Sequence, residues 1–443
     1  MYITITALQK FYGTKPLKLD AIVKLVKEPD NKYDTEAIAC EMRHFGKIGY
    51  VANSTSTVVK GCMSGGRVYD KINDEYFAKI KFITNQVAIA KILSSDEYVE
   101  EIENPESDVH FLSDSLEKST LNSLKKTSKV NQMAVSMEEI EFLDAQAHKN
   151  MAIIPLKTPL NYNMDVITLK KGFELGLVNV KECEKSTVNT IVVKNHSVTP
   201  LLLIDGEEII GGDQNRIVNG TILIAPKSEM KIPVNCTEHG RWGYKHEFKN
   251  SNFMATSRTR CASISANRSS KSVQSAVWNS IDELEADRGF HSPTQAMSES
   301  YENLNADLDE FIGAFKTEKG QTGVVVIVDG EIKGFELLIN SDVYSQYHEK
   351  ILKSYVIDAD INDNVFTINM DAAKATIANA IESELVEAKN VGLEKRFEIK
   401  SEDGIGTVYT HNDELIHCSF FTGTDETSKK SFDDNLTSAR VGL

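Results

Sequence analysis

Hydrophobic and polar positions alternate with a period of two along the first ninety residues. "YITITAL", "DAIVKLVK", "AIACEM", "GKIGYVA" and "FAKIKFI" each read as a short strand set off by turn residues. In the third, Ile38, Cys40 and Met42 face one way while Ala37, Ala39 and Glu41 face the other, as in a half-buried strand. Strands this short predict a compact β-barrel over residues 1–94.

The alternation stops at "SSDEYVEEIENPESD", which carries seven acids in residues 96–108. A Ser/Lys-rich stretch follows to about residue 135. Low hydrophobicity and high charge predict a linker over 95–147, with one helix near 136–146. From residue 148 strand-like runs return ("TIVVKN", "LLLIDGEEIIG", "TILIAP", "KIPVNC"), and then the period lengthens. Val273, Val277, Ile281 and Leu284 predict one helix, and Leu304, Leu308, Phe311 and Phe315 a second. Ile377, Ile381 and Leu385 predict a third, capped by Asp371 and Gly392. Asp329-Gly330 reads as a hairpin turn inside "GVVVIVDGEIKGFELLI". Strands, helices and strands again predict an α+β domain over 148–425, with a tail over 426–443. No internal repeat is found.

Composition changes this picture little. At 443 residues, two or three domains are expected, and 41% hydrophobic with 26% charged residues is ordinary for a globular chain. No apolar run approaches the roughly 18–20 residues of a membrane helix, and the N-terminus does not read as a signal peptide. Six scattered cysteines without a CxxC pair fit a reducing cytoplasm. Charge adds more. Residues 1–95 hold 14 Lys+Arg against 9 Asp+Glu, while the whole chain carries 49 against 65. The first module is therefore basic in an acidic protein, which points to a polyanion partner there.

The polar motif of that module is "KEPDNKYDTEAIACEM", residues 27–42. Asp34 on such a turn is read either as a cap on backbone N–H groups, with Tyr33 a core aromatic, or as half of a ligand-reading pair. The pattern Glu-Pro-x-Asn-x-Tyr-Asp-x-x-Ala-Ile, followed by "GKIGYV", resembles the HIRAN domain, and "LQKFYG" sits where that family carries an aromatic pair. The resemblance implies an OB-like barrel that binds the 3′ end of single-stranded DNA. Tyr33 would stack on the terminal base, Asp34 would accept from the free 3′-hydroxyl, and Tyr12 would be a second stacking surface. Lys10, Lys47 and Lys60 are the expected phosphate contacts, by nearness in sequence. The chemistry is coherent: stacking is indifferent to base identity, and a carboxylate accepts from a hydroxyl but repels a phosphodiester.

The densest polar stretch is "LLLIDGEEIIGGDQNRIVNGTILIAPKSEMKIPVNCTEHGRWGYKHEF". Glu207 and Glu208 follow an apolar run and a Gly turn, Gln214, Asn215 and Arg216 follow a Gly pair, and Glu238, Arg241 and Trp242 follow a second run. If their strand ends meet, these residues form a pocket suited to a ribose-and-base ligand, with carboxylates for hydroxyls, Arg for phosphate and Trp for stacking. Glu207, Glu208 or Glu238 would be the general base. The competing reading is structural: Arg216 and Glu208 as a buried pair, and Gln214–Arg216 as loop support. The stretch resembles the ARPP domain, named for its gene neighbourhoods with ADP-ribosylglycohydrolases and rhodanese-phosphatases. That implies NAD or ADP-ribose chemistry by association, with a hydrolase or transferase if the domain is an enzyme. The implied fold is multidomain: a small OB-like barrel and a larger α+β domain joined by an acidic, Ser-rich linker.

Residues 248–281 contain no acid and five bases, Arg258 and Arg260 among them. They are read as an anion-binding lid or as a Ser-rich disordered loop. No cofactor is evident. Zinc is not expected, because Cys236, His239 and His246 lack a fourth ligand. Three functions follow: a sensor of 3′-OH single-stranded ends coupled to a nucleotide-type ligand, as in bacterial stress or conflict systems by analogy; a binding scaffold that catalyses nothing; or a HIRAN fold used for protein contacts.

Overall fold

The computed structural model describes residues 1–104, 107–112, 135, 137–158, 164–183, 189–238, 246–289, 292, 296–357, 359 and 362–423. The chain divides into two compact units, one of residues 1–126 with 197–199, the other of residues 127–196 with 200–443.

The first unit holds β1 (Tyr2–Thr6), β2 (Ile22–Glu28), β3 (Ala37–Met42), β4 (Gly46–Val51), the short α1 (Gly65–Tyr69), β5 (Glu75–Ile83) and β6 (Ala88–Ile92). The strands close into a barrel in the order β1-β4-β3-β2-β5-β6, with β6 returning to β1. Every neighbour pair is antiparallel. Ile3, Ile5, Leu25, Ile38, Cys40, Ile48 and Ile80 fill it, all wholly buried, as the alternation requires.

The acidic run that follows is not a solvated linker. Residues Ser95–Glu103 form α2 and Val109–Leu112 form α3. Ser94 and Glu97 make a reciprocal capping box that starts α2. Tyr98 stacks on Phe77 at 5.6 Å, and Ile102 and Leu112 pack against Ile22, Phe77, Leu93 and Val109. The acids are spent on barrel bases: Glu97 on Lys91, Glu101 on Lys79 and Asp108 on Arg43. Part of the positive charge seen in the first module is thus neutralised by the helix beside it. The Ser/Lys-rich stretch of residues 113–134 lies outside the described residues. The helix expected near 136–146 is instead one 3-10 turn at Met137–Glu139 and the first two strands of the larger unit.

In the larger unit these strands are β7 (Glu141–Phe142) and β8 (Gln146–His148), then β9 (Met151–Lys157) and β10 (Ile167–Thr168). Next come α4 (Leu169–Leu175), β11 (Val178–Glu182), β12 (Thr190–Asn195), β13 (Leu201–Leu203), β14 (Glu207–Gly212), β15 (Arg216–Val218), β16 (Ile222–Ile224), β17 (Glu229–Cys236) and β18 (His246–Met254). Three helices follow, α5 (Ser257–Arg268), α6 (Val273–Arg288) and α7 (Met297–Ile312), then β19 (Gly323–Val328), β20 (Glu331–Leu338), α8 (Ser341–Val356) and α9 (Met370–Glu382). The chain ends in β21 (Glu384–Ala388), β22 (Lys395–Lys400), β23 (Gly404–His411) and β24 (Glu414–Thr422). A six-stranded sheet runs β11-β12-β17-β15-β14-β18, and a nine-stranded sheet runs β21-β22-β23-β24-β20-β19-β9-β7, with β8 also on β9.

The helical spacings land where periodicity put them for α6, whose Val277, Ile281 and Leu284 are buried, and for α7 with Leu308 and Phe311. The third differs. Asn369, not Asp371, caps α9 through its side chain, and the helix stops at Glu382 because Leu385 already lies in β21. Asp329-Gly330 makes the β19–β20 turn with φ of 52° and 80°, the left-handed pair that a two-residue hairpin needs. Residues 248–281, expected as a lid or a disordered loop, are the bulk of β18, all of α5 and the first half of α6.

Candidate functional site

In the barrel, the β2–β3 turn is built by its own side chains. Asn31 Oδ1 accepts from the Tyr33 N–H at 3.0 Å, and Asp34 Oδ1 accepts from the Glu36 N–H at 2.9 Å. The Tyr33 ring points outward: it is 98% exposed, which removes the core-aromatic reading. Asp34 is a turn cap with one oxygen and more than that with the other, since Oδ2 accepts from the Asn53 side-chain amide at 2.8 Å.

Beneath this turn, Glu28 gathers the Asn31 amide at 2.9 Å, the Tyr50 hydroxyl at 3.0 Å and the Lys47 ammonium. Lys47 is therefore committed to an ion pair and is not a free phosphate contact. Lys10 and Lys60 are exposed. Tyr12 turns inward: its hydroxyl donates to the Phe45 carbonyl at 3.1 Å and its ring packs edge-on against Phe45 at 5.1 Å. The outward ring of the pair is Phe11, 38% exposed and 6.3 Å from the Tyr50 ring. Adjacent residues at the end of a 3-10 turn point different ways, and "KFYG" alone does not say which ring is presented.

In the larger unit, Gly206 turns the chain into β14 at φ +78°, where a Cβ would stand 2.8 Å from the Arg260 side chain. Glu207 and Glu208 follow, both wholly buried. Glu207 accepts from the Tyr347 hydroxyl and the Lys350 ammonium, each at 2.9 Å, both from α8. Glu208 accepts from Ser251 at 2.7 Å and Thr237 at 3.1 Å. Burial pushes the Glu208 carboxyl up to about 7, against the pull of those two hydroxyls and of Lys350. Asn215 accepts from the Gly211 N–H at 3.1 Å, and its backbone N–H donates to Glu238 at 3.3 Å.

A cavity of about 660 Å³ opens beside these groups, walled by Asn215, Glu238, Asn250, Ser251, Phe253 and Ser298, with Glu247, Lys249, Glu299 and Glu302 toward its rim. A second, of about 590 Å³, shares Asn252, Phe253 and Glu302 with it and adds Lys170, Gln346, Lys350 and Lys353. Phe253 is held flat against Tyr301, ring centroids 4.7 Å apart. Of the expected residues, Asn215 and Glu238 line the cavity, and Glu208 reaches it through the Ser251 hydroxyl.

The others are placed elsewhere. Arg216 pairs with Glu182 at 3.6 Å and with Gln214 at 3.4 Å, both inside the fold, so the expected Arg216–Glu208 pair does not form. Arg260 is fully buried among Asp205, Glu336 and the Phe421 ring, and Glu336 also meets His417 Nε2 at 3.0 Å. Glu336 is held down to about 2: burial opposes this, but the Arg260 charge and the His417 contact outweigh it. Arg258 is paired with Asp287 at 2.7 Å near the surface. Arg241, Trp242 and His239 lie outside the described residues. Among the described residues, no group of three or more His, Cys, Asp or Glu is arranged to hold a metal. Lys350, Tyr347, Ser251 and Ser298 escaped sequence reasoning because they stand far from the motif along the chain and carry no local signature.

Comparison with known proteins gives the class of each unit. Residues 1–87 match the HIRAN domain model, a span that holds β1 to β5 of the barrel. A structure search finds the crystal structure of the HIRAN domain of human HLTF, at 13% identity and a TM-score of 0.17, covering 21% of this chain and 71% of that one. The model of the ARG and Rhodanese-Phosphatase-superfamily-associated Protein domain matches residues 139–421. The chain belongs to that family. No curated protein matches it. Among the described residues, no helix is long and apolar enough to cross a membrane.

Proposed function

We propose that the barrel binds 3′-hydroxyl ends of single-stranded DNA and that the larger unit binds a nucleotide-type ligand of the NAD or ADP-ribose class. One observation carries the first half. A fully exposed ring, Tyr33, adjoins a carboxylate, Asp34, whose orientation is fixed by two donors. The ring supplies sequence-tolerant stacking, and the acid favours a hydroxyl terminus over a continuing phosphodiester. Phe11 replaces Tyr12 as the second stacking surface.

For the larger unit, the support is a cavity walled by hydroxyls, amides and carboxylates, with the exposed Lys170 in the adjoining hollow and the Phe253 ring shared between them. Carboxylates and amides suit ribose hydroxyls, and ammonium groups suit phosphate oxygens. Glu208, titrating near neutrality and one hydroxyl from the cavity, is the group suited to move a proton if the ligand is turned over.

The barrel is tested by titrating labelled single strands that end in a 3′-hydroxyl or a 3′-phosphate. Tighter binding of the hydroxyl end, lost in Asp34→Ala, is expected; equal affinity would return the barrel to the protein-contact reading. The larger unit is tested by calorimetry with NAD and ADP-ribose, followed by chromatography of the mixture. Binding weakened by Asn215→Ala is expected. Silence with both ligands would leave the unit a scaffold.

A further inference from the structure

We infer that Asn53 is the second half of the terminal-hydroxyl reader, donating a hydrogen bond to the 3′-hydroxyl oxygen while Asp34 accepts the hydroxyl proton. This rests on the 3′-end reading of the barrel and adds a residue to it.

Asn53 comes two residues after β4, and its side-chain amide is gripped at both ends. Its Oδ1 accepts from the Gly66 N–H at 2.7 Å, and its Nδ2 donates to Asp34 Oδ2 at 2.8 Å. A backbone N–H only donates, so the amide oxygen must face Gly66 and the NH₂ must face Asp34. Two glycines lie close beside it: a Cβ at Gly65 would stand 3.3 Å from the Asn53 Cβ, and one at Gly66 3.3 Å from its Oδ1. A primary amide carries two N–H donors, and Asp34 takes one. Asn53 is exposed, so its second N–H is free to meet solvent or a ligand beside the Asp34 carboxylate.

Acceptor and donor therefore stand side by side, on the residue that follows the exposed Tyr33 and on its partner. A hydroxyl is both donor and acceptor and satisfies the pair at once. A 3′-phosphate supplies only acceptors and faces the carboxylate charge. A terminus ending in 3′-hydrogen satisfies neither group. Asn53 is thus a specificity-determining residue, and its removal has a different consequence for each terminus.

The test uses the full chain and three 5′-labelled oligothymidylates ending in a 3′-hydroxyl, a 3′-hydrogen or a 3′-phosphate. Asn53→Ala is expected to weaken the hydroxyl end about fivefold, the worth of one ordinary hydrogen bond, and to leave the 3′-hydrogen end unchanged. Asn53→Asp, which sets a second carboxylate against Asp34, is expected to lose more on the hydroxyl end than the alanine variant. Equal losses on all three ends would mean that Asn53 only supports the turn, and would overturn the inference. So would a variant that discriminates as sharply as the parent. A parent chain that binds the three ends alike would overturn the 3′-end reading and this inference together.

Discussion

Two carboxylate-bearing sites of this chain behave in opposite ways. In the β2–β3 turn, Asp34 spends its hydrogen bonds on one backbone N–H and one exposed amide, and the ring beside it is bare to solvent. On β14, Glu207 and Glu208 have every partner supplied from inside the fold, by α8, β18, the residue after β17 and the Ile204 N–H. A carboxylate with acceptor capacity left at the surface can read a ligand. One whose capacity is consumed internally mainly holds elements together, and reaches a ligand only through a neighbour, as Glu208 does through Ser251. The number of partners the chain itself provides separates the two cases, and residue type does not.

The largest effect is expected at another internally answered cluster of the larger unit. Arg260→Ala leaves Asp205 and Glu336 without their shared cation, and about 3–5 kcal/mol of stability is expected to go. Urea unfolding followed by tryptophan fluorescence reports on the larger unit, since Trp242 and Trp278 are the two tryptophans of the chain. A loss under about 1 kcal/mol would mean that the Asp205–Arg260–Glu336 network is not structural.

Next in size is a dependence on pH with a definite sign. Glu208 is raised to about 7 from an ordinary 4.5, so the folded chain keeps a proton that the unfolded chain has already released. Its contribution is whole below about 4.5 and falls as pH rises through 7, by about 3 kcal/mol across the interval. Glu336, held down to about 2, runs the other way: its contribution is present above the ordinary value and lost as pH falls toward 2. Glu208→Gln is expected to flatten the fall between pH 5 and 7. Unchanged denaturation midpoints over that range would contradict the burial account.

Smaller effects are expected in the barrel, on binding and not on stability. Tyr33→Ala should weaken single-stranded DNA by about 1–3 kcal/mol, the worth of one stacked base, with the melting temperature unmoved. A thermal shift as large as the binding loss would make Tyr33 structural after all. Smallest, Lys10→Ala and Lys60→Ala should each lower the slope of log affinity against log salt by about 0.7, whereas Lys47→Ala should act through Glu28 and Tyr50.

Much of the architecture was legible because it depends on local patterning. Five of the six barrel strands, α6, α7 and the Asp329-Gly330 hairpin follow from periods of two and 3.6 and from turn chemistry, while β6 was not foreseen. The acidic run misled for a physical reason: its charges are answered by Lys91, Lys79 and Arg43, which lie far away in sequence, and a helix looks like a solvated linker until those partners are known. The polar motif of the larger unit was found as a cluster but not as a site. Of its expected site residues only Asn215 and Glu238 line the cavity, whose other walls come from β14, β18 and α7.

By itself the sequence determined what neighbouring residues decide: strand and helix periods, the turn residues between β2 and β3, and the family pattern that marks two modules. Tertiary structure alone decided which ring of Phe11 and Tyr12 is presented, that Lys47 is spoken for, that Arg260 supports the core, and that Asn53 meets Asp34. These depend on partners 19 to 161 residues away. A hydrogen bond is set by distance in space, and the chain's spacing carries that distance only once it has folded.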